Sequence, residues 1–325
     1  MTTDHPARAT AGAPQADPGA VIALESVRKS FGPTKAVDGL TFQVHRGEMF
    51  GVIGPDGAGK TTTLRLMCGL LPADGGGVRV MGADPFRAHR TATGSIGYVS
   101  QRFSLYGDLS IDENIAFFAS IHGVRHFAER RTRLLELTGL LPFRQRRADR
   151  LSGGMKQKLA LACTLVHEPP ILILDEPTTG VDPVSRREFW KLLAEFLAQG
   201  LTIVVATPYL DEAERCARVA LLNHGRLLAL DEPAQLQAKS KGVIYEVVAA
   251  PPRQALQLLR GRFGDDDVQL FGDRLHVRLD GEGLKDELIQ GLEKSAVTVS
   301  AVRPIVPTLE DVFIELLSRE PAATT

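Results

Sequence analysis

Gly54-Pro55-Asp56-Gly57-Ala58-Gly59-Lys60-Thr61 fits the pattern G-x-x-x-x-G-K-[ST]. It follows the β-prone run Met49 to Ile53 and precedes a helical pattern with Leu64, Leu66, Met67 and Leu70 on one side, expected to run from Lys60 to Leu70 and end before Pro72 and Gly75-Gly76-Gly77. A strand feeding glycines and then a helix is the context this pattern needs. The glycines let backbone N–H groups converge on a polyphosphate, and the helix start adds its positive end. Lys60 should reach the terminal phosphates and Thr61 should hold Mg²⁺ through its hydroxyl.

A second chemical feature lies downstream. The apolar run Ile171 to Leu174 reads as a strand buried on both faces, and Asp175 follows it, so its carboxylate belongs at the sheet edge where Lys60 and Thr61 arrive. Asp175 suits a Mg²⁺ contact through water, and Glu176 suits a general base toward the attacking water. Alone, Asp175-Glu176-Pro177 would be an ordinary polar strand end. A third feature, Leu151-Ser152-Gly153-Gly154-Met155-Lys156-Gln157, precedes a helical run through Leu165 and so offers another helix start with bare glycine amides and a hydroxyl.

Together these segments resemble the nucleotide-binding subunit of ATP-binding cassette (ABC) transporters, in order and spacing, over about residues 21–240. The resemblance implies an α/β P-loop NTPase fold with a mixed sheet core, an antiparallel β subdomain and a helical subdomain at about 102–165. It makes Gly54, Pro55, Asp56, Gly57, Ala58, Gly59, Lys60, Thr61 and Thr62 the ATP loop, with Phe31 stacking on adenine and Gln101 as the glutamine of a loop that also meets Mg²⁺. Leu151, Ser152, Gly153, Gly154 and Gln157 become a signature that binds the ATP of a partner subunit. Gly180, Val181 and Asp182 become the D-loop of the dimer face. Physically, one phosphate loop cannot enclose the γ-phosphate, and a helix start from a second copy can complete the site. The second copy is a homodimer partner or a paralogue.

Two positions depart from the family. Asp56 stands where Asn is usual, and its carboxylate is expected to turn from the phosphates toward the dimer face. Pro208 occupies the position of the switch histidine; proline has neither side-chain donor nor N–H, so slow hydrolysis is expected, with Thr207 or Tyr209 as the neighbouring hydroxyls that could stand in.

From Lys241 onward the order βαββαβα reads as a small α+β domain at 241–320, between the cassette and a short tail at 321–325. Its last helix, Leu309 to Leu317, is amphipathic and is expected to pack on that small domain. Pro307-Thr308-Leu309-Glu310-Asp311-Val312-Phe313 resembles the ending of ATPases serving ABC-2 exporters of drugs and other amphiphiles, and Asp56 with Pro208 resembles a subset working with a periplasmic adaptor. An ABC-2 integral membrane permease is the implied partner; the loop holding Phe103 and Leu105 could offer it a groove, although each of these residues singly reads as packing on the helical subdomain. Arg125 to Arg150 reads as helical with one basic face.

Composition sets the outer bounds. The 325 residues suggest two domains, and 44% apolar content supports a core in each. With 38 Lys+Arg against 39 Asp+Glu, the net charge of −1 gives no global attraction to nucleic acid. Cys68, Cys163 and Cys216 are far apart, which reads as buried thiols in a reducing compartment. No apolar run reaches the roughly 18 to 20 residues of a bilayer-spanning helix. Residues 1–20, without an apolar core, read as a disordered tail, and the chain as cytoplasmic, peripheral to the inner face of the plasma membrane. A ribosome-associated ATPase of the same superfamily would usually join two cassettes, and a nucleotide kinase would have no use for Leu151 to Gln157.

Overall fold

The computed structural model of the 325-residue chain describes residues 19–88, 94–101, 105–281, 284–293 and 297–319. Of the expected tails, residues 1–18 and 321–325 lie outside them, as does Phe103 of the expected permease loop, whereas Ala20 already begins a strand.

A six-stranded sheet forms the centre, in the order β5 (Ile96–Val99), β6 (Ile171–Asp175), β7 (Thr202–Thr207), β3 (Met49–Ile53), β8 (Arg218–Asn223), β9 (Arg226–Asp231). All neighbours are parallel except β8 and β9, which form a hairpin. Register decides what meets at one edge: Ile53 pairs with Thr207, Asp175 with Ala206, and Val99 with Leu174. The segments after β3, β5, β6 and β7 therefore emerge side by side, at the carboxyl ends of parallel strands where α/β folds bind ligands.

Against one side lies a three-stranded antiparallel sheet of β2 (Thr34–His45), β1 (Ala20–Phe31) and β4 (Gly75–Val80). This is the antiparallel β subdomain that the resemblance implies, and Phe42 stacks on Phe50 of β3 at 5.3 Å between ring centres. Helix α1 (Lys60–Met67) stops short of Leu70 because Gly69 takes the left-handed conformation (φ 66°), a helix stop that acts before Pro72 is reached. The opposite side carries α2 (Ile111–Ile121), α3 (Ala128–Leu137) and α4 (Gly153–Leu165) around Ile115, Leu135 and Leu159.

Three arginines of this helical region are engaged by groups of other elements, while Arg125, Arg133, Arg146, Arg147 and Arg150 are exposed. Arg144 donates to Asp112 at 2.7 Å, with Arg131 3.7 Å from the same carboxylate. Arg130 donates to the Val166 carbonyl at 2.7 Å and pairs with Glu168. These cations are spent on local partners distant in sequence, which periodicity does not reveal.

The last part of the chain forms an antiparallel sheet in the order β11 (Val268–Phe271), β12 (Arg274–Leu279), β10 (Val243–Ala250), β13 (Thr298–Ile305). Its apolar face, with Val247, Leu275 and Val277, is covered by α8 (Pro252–Phe263) and α9 (Leu284–Glu293). The final helix, α10 (Leu309–Arg319), departs from the expectation that it packs on this domain's core. Its Leu309, Val312 and Phe313 join the cluster of Ala213, Cys216 and Leu236, against α6 (Leu210–Ala213) and α7 (Pro233–Ala238). The small sheet holds α10 by polar contacts instead: Asp311 accepts from His276 Nδ1 at 3.0 Å, and Glu315 lies 3.1 Å from Arg278. The reason is vacancy, since the sheet's apolar face is already occupied by α8 and α9.

Candidate active site

Thr34, Lys35, Ala36, Asp56, Gly57, Ala58, Gly59, Lys60, Thr61, Thr62, Gln101, Glu176 and His224 line a cleft of about 560 Å³ at the shared strand edge. Gly59 sits at φ 96°, and a Cβ there would fall 2.3 Å from the Ala36 carbonyl oxygen, so only glycine lets the loop pass this close to β2. The Gly225 N–H donates to the Ala58 carbonyl at 3.1 Å, holding the loop from the β8–β9 side.

Lys60 is 4% exposed, and Nζ donates to the carbonyls of Gly54 (2.9 Å) and Pro55 (3.0 Å) while lying 3.3 Å from Glu176 Oε1. The ammonium is thus held over its own loop by groups that a phosphate can replace. Glu176 is 9% exposed and its other oxygen accepts from Gln101 Nε2 at 2.9 Å and Thr179 Oγ1 at 3.4 Å. Its backbone is left-handed at φ 49°, a conformation costing a non-glycine residue about 1 kcal/mol, and its N–H is fixed to the Ala206 carbonyl at 2.9 Å. Strain of this kind collects where a side chain must be aimed.

Asp175 is buried behind the cleft. It accepts from Thr61 Oγ1 at 2.9 Å and Tyr98 OH at 3.3 Å. Burial raises its pKa, against the two hydrogen bonds that lower it. Thr61 hydroxyl, Gln101 amide oxygen and Asp175 carboxylate form an all-oxygen set that suits Mg²⁺.

Of the other expected residues, Asp56 alone is at the cleft. Phe31 is 49% exposed at the end of β1, with Lys29 Nζ 5.7 Å from its ring, and is not among the lining residues. The Leu151–Gln157 segment is also outside the cleft: Ser152 caps α4, accepting from the Met155 N–H at 3.3 Å, and both Ser152 and Gly153 are exposed. Gly154 is buried where a Cβ would fall 2.5 Å from the Ser185 side chain of α5 (Pro183–Ala198). Asp182 caps α5 by accepting from the N–H groups of Val184 (3.1 Å) and Ser185 (3.0 Å), beyond a tight turn at Gly180 (φ 74°) and half-buried Val181. Those caps lower the Asp182 pKa. Asp56 is exposed on the cleft rim. The Thr207 hydroxyl donates to Glu212 at 2.6 Å, so its proton is not offered to the cleft, and the Tyr209 ring lies against Arg186 at 4.7 Å.

Sequence reasoning missed Thr34, Lys35, Ala36 and His224. Only His224 had a signal: His224-Gly225 is a two-residue hairpin turn with both φ positive (45° and 76°), but its nearness to Gly59 is tertiary.

A family model described as ABC transporter matches residues 37–179. "Probable multidrug ABC transporter ATP-binding protein YbhF" of Escherichia coli (strain K12) is 43% identical over 305 residues, 92% of this chain and 52% of its own length. The chain thus spans about half of that relative. Nod factor export ATP-binding protein I of Rhizobium sp. (strain N33) is 38% identical over 304 residues, 92% of this chain and 97% of its own. The chain belongs to the ATP-binding proteins of ABC transporters. Among solved cassettes, the dimeric post-hydrolysis state of MJ0796 bound to ADP and Pi aligns with a TM-score of 0.57 at 25% identity, covering 65% of this chain and 98% of that one. The four strand ends around Lys60 thus supply one wall of the cleft, while the exposed Ser152 helix start lies outside it.

Proposed function

We propose that this cassette is the ATP-hydrolysing subunit of an ABC-2 type exporter, paired with a second ATP-binding subunit under an integral membrane permease. The observation that carries the reading is the division of the site: Lys60, Thr61, Gln101 and Glu176 share one cleft, whereas the exposed Ser152–Gly153 helix start lies outside it. A second chain turned head to tail would bring its Ser152 to this cleft, an arrangement supported by the dimeric state named for MJ0796. Lys60 then moves from Glu176 and its own loop to the terminal phosphates, and Glu176 orients and deprotonates a water. Thr61, Gln101 and Asp175 would hold Mg²⁺, whose charge offsets that of the phosphates. Closing needs ATP, and loss of the γ-phosphate removes what joins the two chains, so the cycle follows the different affinities of ATP and ADP for the closed pair.

The names of the relatives span multidrug and Nod factor transport, which supports an amphiphilic cargo. No helix among the described residues is long and apolar enough to cross a membrane. We place the chain at the cytoplasmic face of the inner membrane, with the permease contacting cargo and a periplasmic adaptor as a further partner. Pro208 makes turnover slow, and Pro208→His raises it.

Complementation tests the reading. Lys60→Ala and Ser152→Ala chains are each expected to be inactive alone, yet random mixing gives heterodimers with one intact site and about a quarter of the wild-type rate. No recovery, together with hydrolysis by a strict monomer, would overturn the proposal.

A further inference from the structure

Glu212, on the short helix after Pro208, is fully buried at 0% exposure and takes no part in the cleft. Its Oε1 accepts from the Thr178 hydroxyl (2.5 Å), Arg186 Nε (2.6 Å) and the Trp190 indole N–H (3.0 Å). Its Oε2 accepts from the Thr207 hydroxyl (2.6 Å). All four partners donate, so the pocket is complementary to a carboxylate and to no neutral side chain of the same size. Arg186, which also reaches Asp211 at 2.8 Å, supplies the opposite charge that a buried carboxylate requires.

The origin of the four partners gives this carboxylate a role beyond packing. Thr178 lies between Glu176 and the turn at Gly180; Arg186 and Trp190 belong to α5, whose start is capped by Asp182. Thr207 ends β7 immediately before Pro208, and its oxygen also accepts from the Tyr209 N–H at 3.1 Å, so the chain is gripped on both sides of the proline. Pro208 itself has no donor to fix the segment to a phosphate. The dimer-facing segment and the Pro208 segment therefore meet on one anion, and the former continues directly from Glu176, whose carboxylate accepts from Thr179.

We infer that Glu212 is a positioning residue for hydrolysis: it ties the segment leading to Asp182 and the segment around Pro208 into one unit, so that engagement of the dimer face sets both the Pro208 loop and the aim of Glu176. This rests on the ATPase reading above. Because the tie acts on geometry and not on nucleotide contact, breaking it affects kcat and spares KM.

Two isosteric changes weaken the tie from opposite sides while leaving Glu212 its other donors: Thr178→Val and Thr207→Val, measured for ATP hydrolysis in the full chain with its permease. Each is expected to lower kcat about tenfold with KM within about twofold of wild type. Both changes act through the one Glu212 carboxylate, so their effects overlap and the double variant is also expected to lose about tenfold. Independent contributions would instead multiply to about a hundredfold. Thr178→Ser and Thr207→Ser, which keep the hydroxyls, should retain wild-type kcat. Multiplicative losses, a KM rise matching the kcat loss, unaffected valine variants or failure of the serine variants would each overturn the tie while leaving the ATPase reading standing. Absence of hydrolysis by the wild-type complex would overturn both. Glu212→Gln, checked for folding by thermal unfolding, should match the single valine variants.

Discussion

Replacing Glu176 by Gln should change two properties in opposite directions. The Lys60 ammonium lies 3.3 Å from Glu176, with both groups almost wholly buried. At an effective dielectric of about 20, their attraction is about 5 kcal/mol before solvation is counted. Desolvation of both ions, and the two loop carbonyls that keep Lys60 in place, offset most of it and leave about 1 to 2 kcal/mol for a nucleotide to overcome. Glu176→Gln removes that competitor and also a negative charge beside the phosphates. Nucleotide affinity should therefore rise about five- to thirtyfold, while hydrolysis falls by about a hundredfold or more through loss of the base. ADP is the informative ligand, because it does not drive dimer closure and so reports the cleft of a single chain. Equilibrium titration with labelled ADP measures the first effect, and single-turnover phosphate release measures the second. An ADP Kd unchanged within about twofold would refute the idea that Lys60 is held back by Glu176, even if hydrolysis were abolished.

Other predictions concern the scaffold. Gly154→Ala sets a methyl 2.5 Å from the Ser185 side chain and should destabilise the chain by about 1 to 3 kcal/mol in denaturant unfolding, with Ser185→Gly in the same chain restoring most of the loss. Phe313→Ala removes a ring that is 9% exposed and should cost about 3 kcal/mol, seen as a Tm lower by about 5 to 10 °C; an unchanged Tm would mean that α10 is not seated as described. Burial works to raise the Asp311 pKa, but hydrogen bonds from His276 and Thr308 outweigh it and the net shift is downward. With the folded value below the unfolded one, its stabilisation is present above about pH 4 and is lost as pH falls through the folded pKa. Wild type should therefore exceed Asp311→Asn in stability at neutral pH, with the gap closing toward pH 3 in denaturant titrations.

Legibility in the sequence depended on how local the determining physics was. Gly54 to Thr61 and Asp175-Glu176 could be read because each comes directly after a β-prone run, and parallel strands deliver their trailing loops to one edge. Register then brought Thr61 within 2.9 Å of Asp175, as their chemistry demanded. Thr34 to Ala36 and His224 carried no such signature, since they reach the cleft only because two hairpins fold against Gly59. Arg130, Arg131 and Arg144 read as part of a solvent face because the acids and carbonyl that engage them come from other elements, namely Asp112, Val166 and Glu168. For α10, the amphipathic spacing correctly marked Leu309, Val312 and Phe313 as one stripe, but a stripe states that a face must be covered without naming its cover. Likewise the four donors around Glu212 come from positions 178, 186, 190 and 207, and only the fold collects them.

The placement of α10 means that the topological boundary near residue 240 is not an energetic one. Cutting the gene there would yield a fragment bearing every nucleotide-binding motif, yet with Ala213, Cys216 and Leu236 stripped of the helix that shields them. Such a fragment should be sticky and poorly behaved in isolation. The eleven residues of this helix act as a peg returning to the first domain, so natural or engineered fusions at the carboxyl end are safe only beyond Arg319.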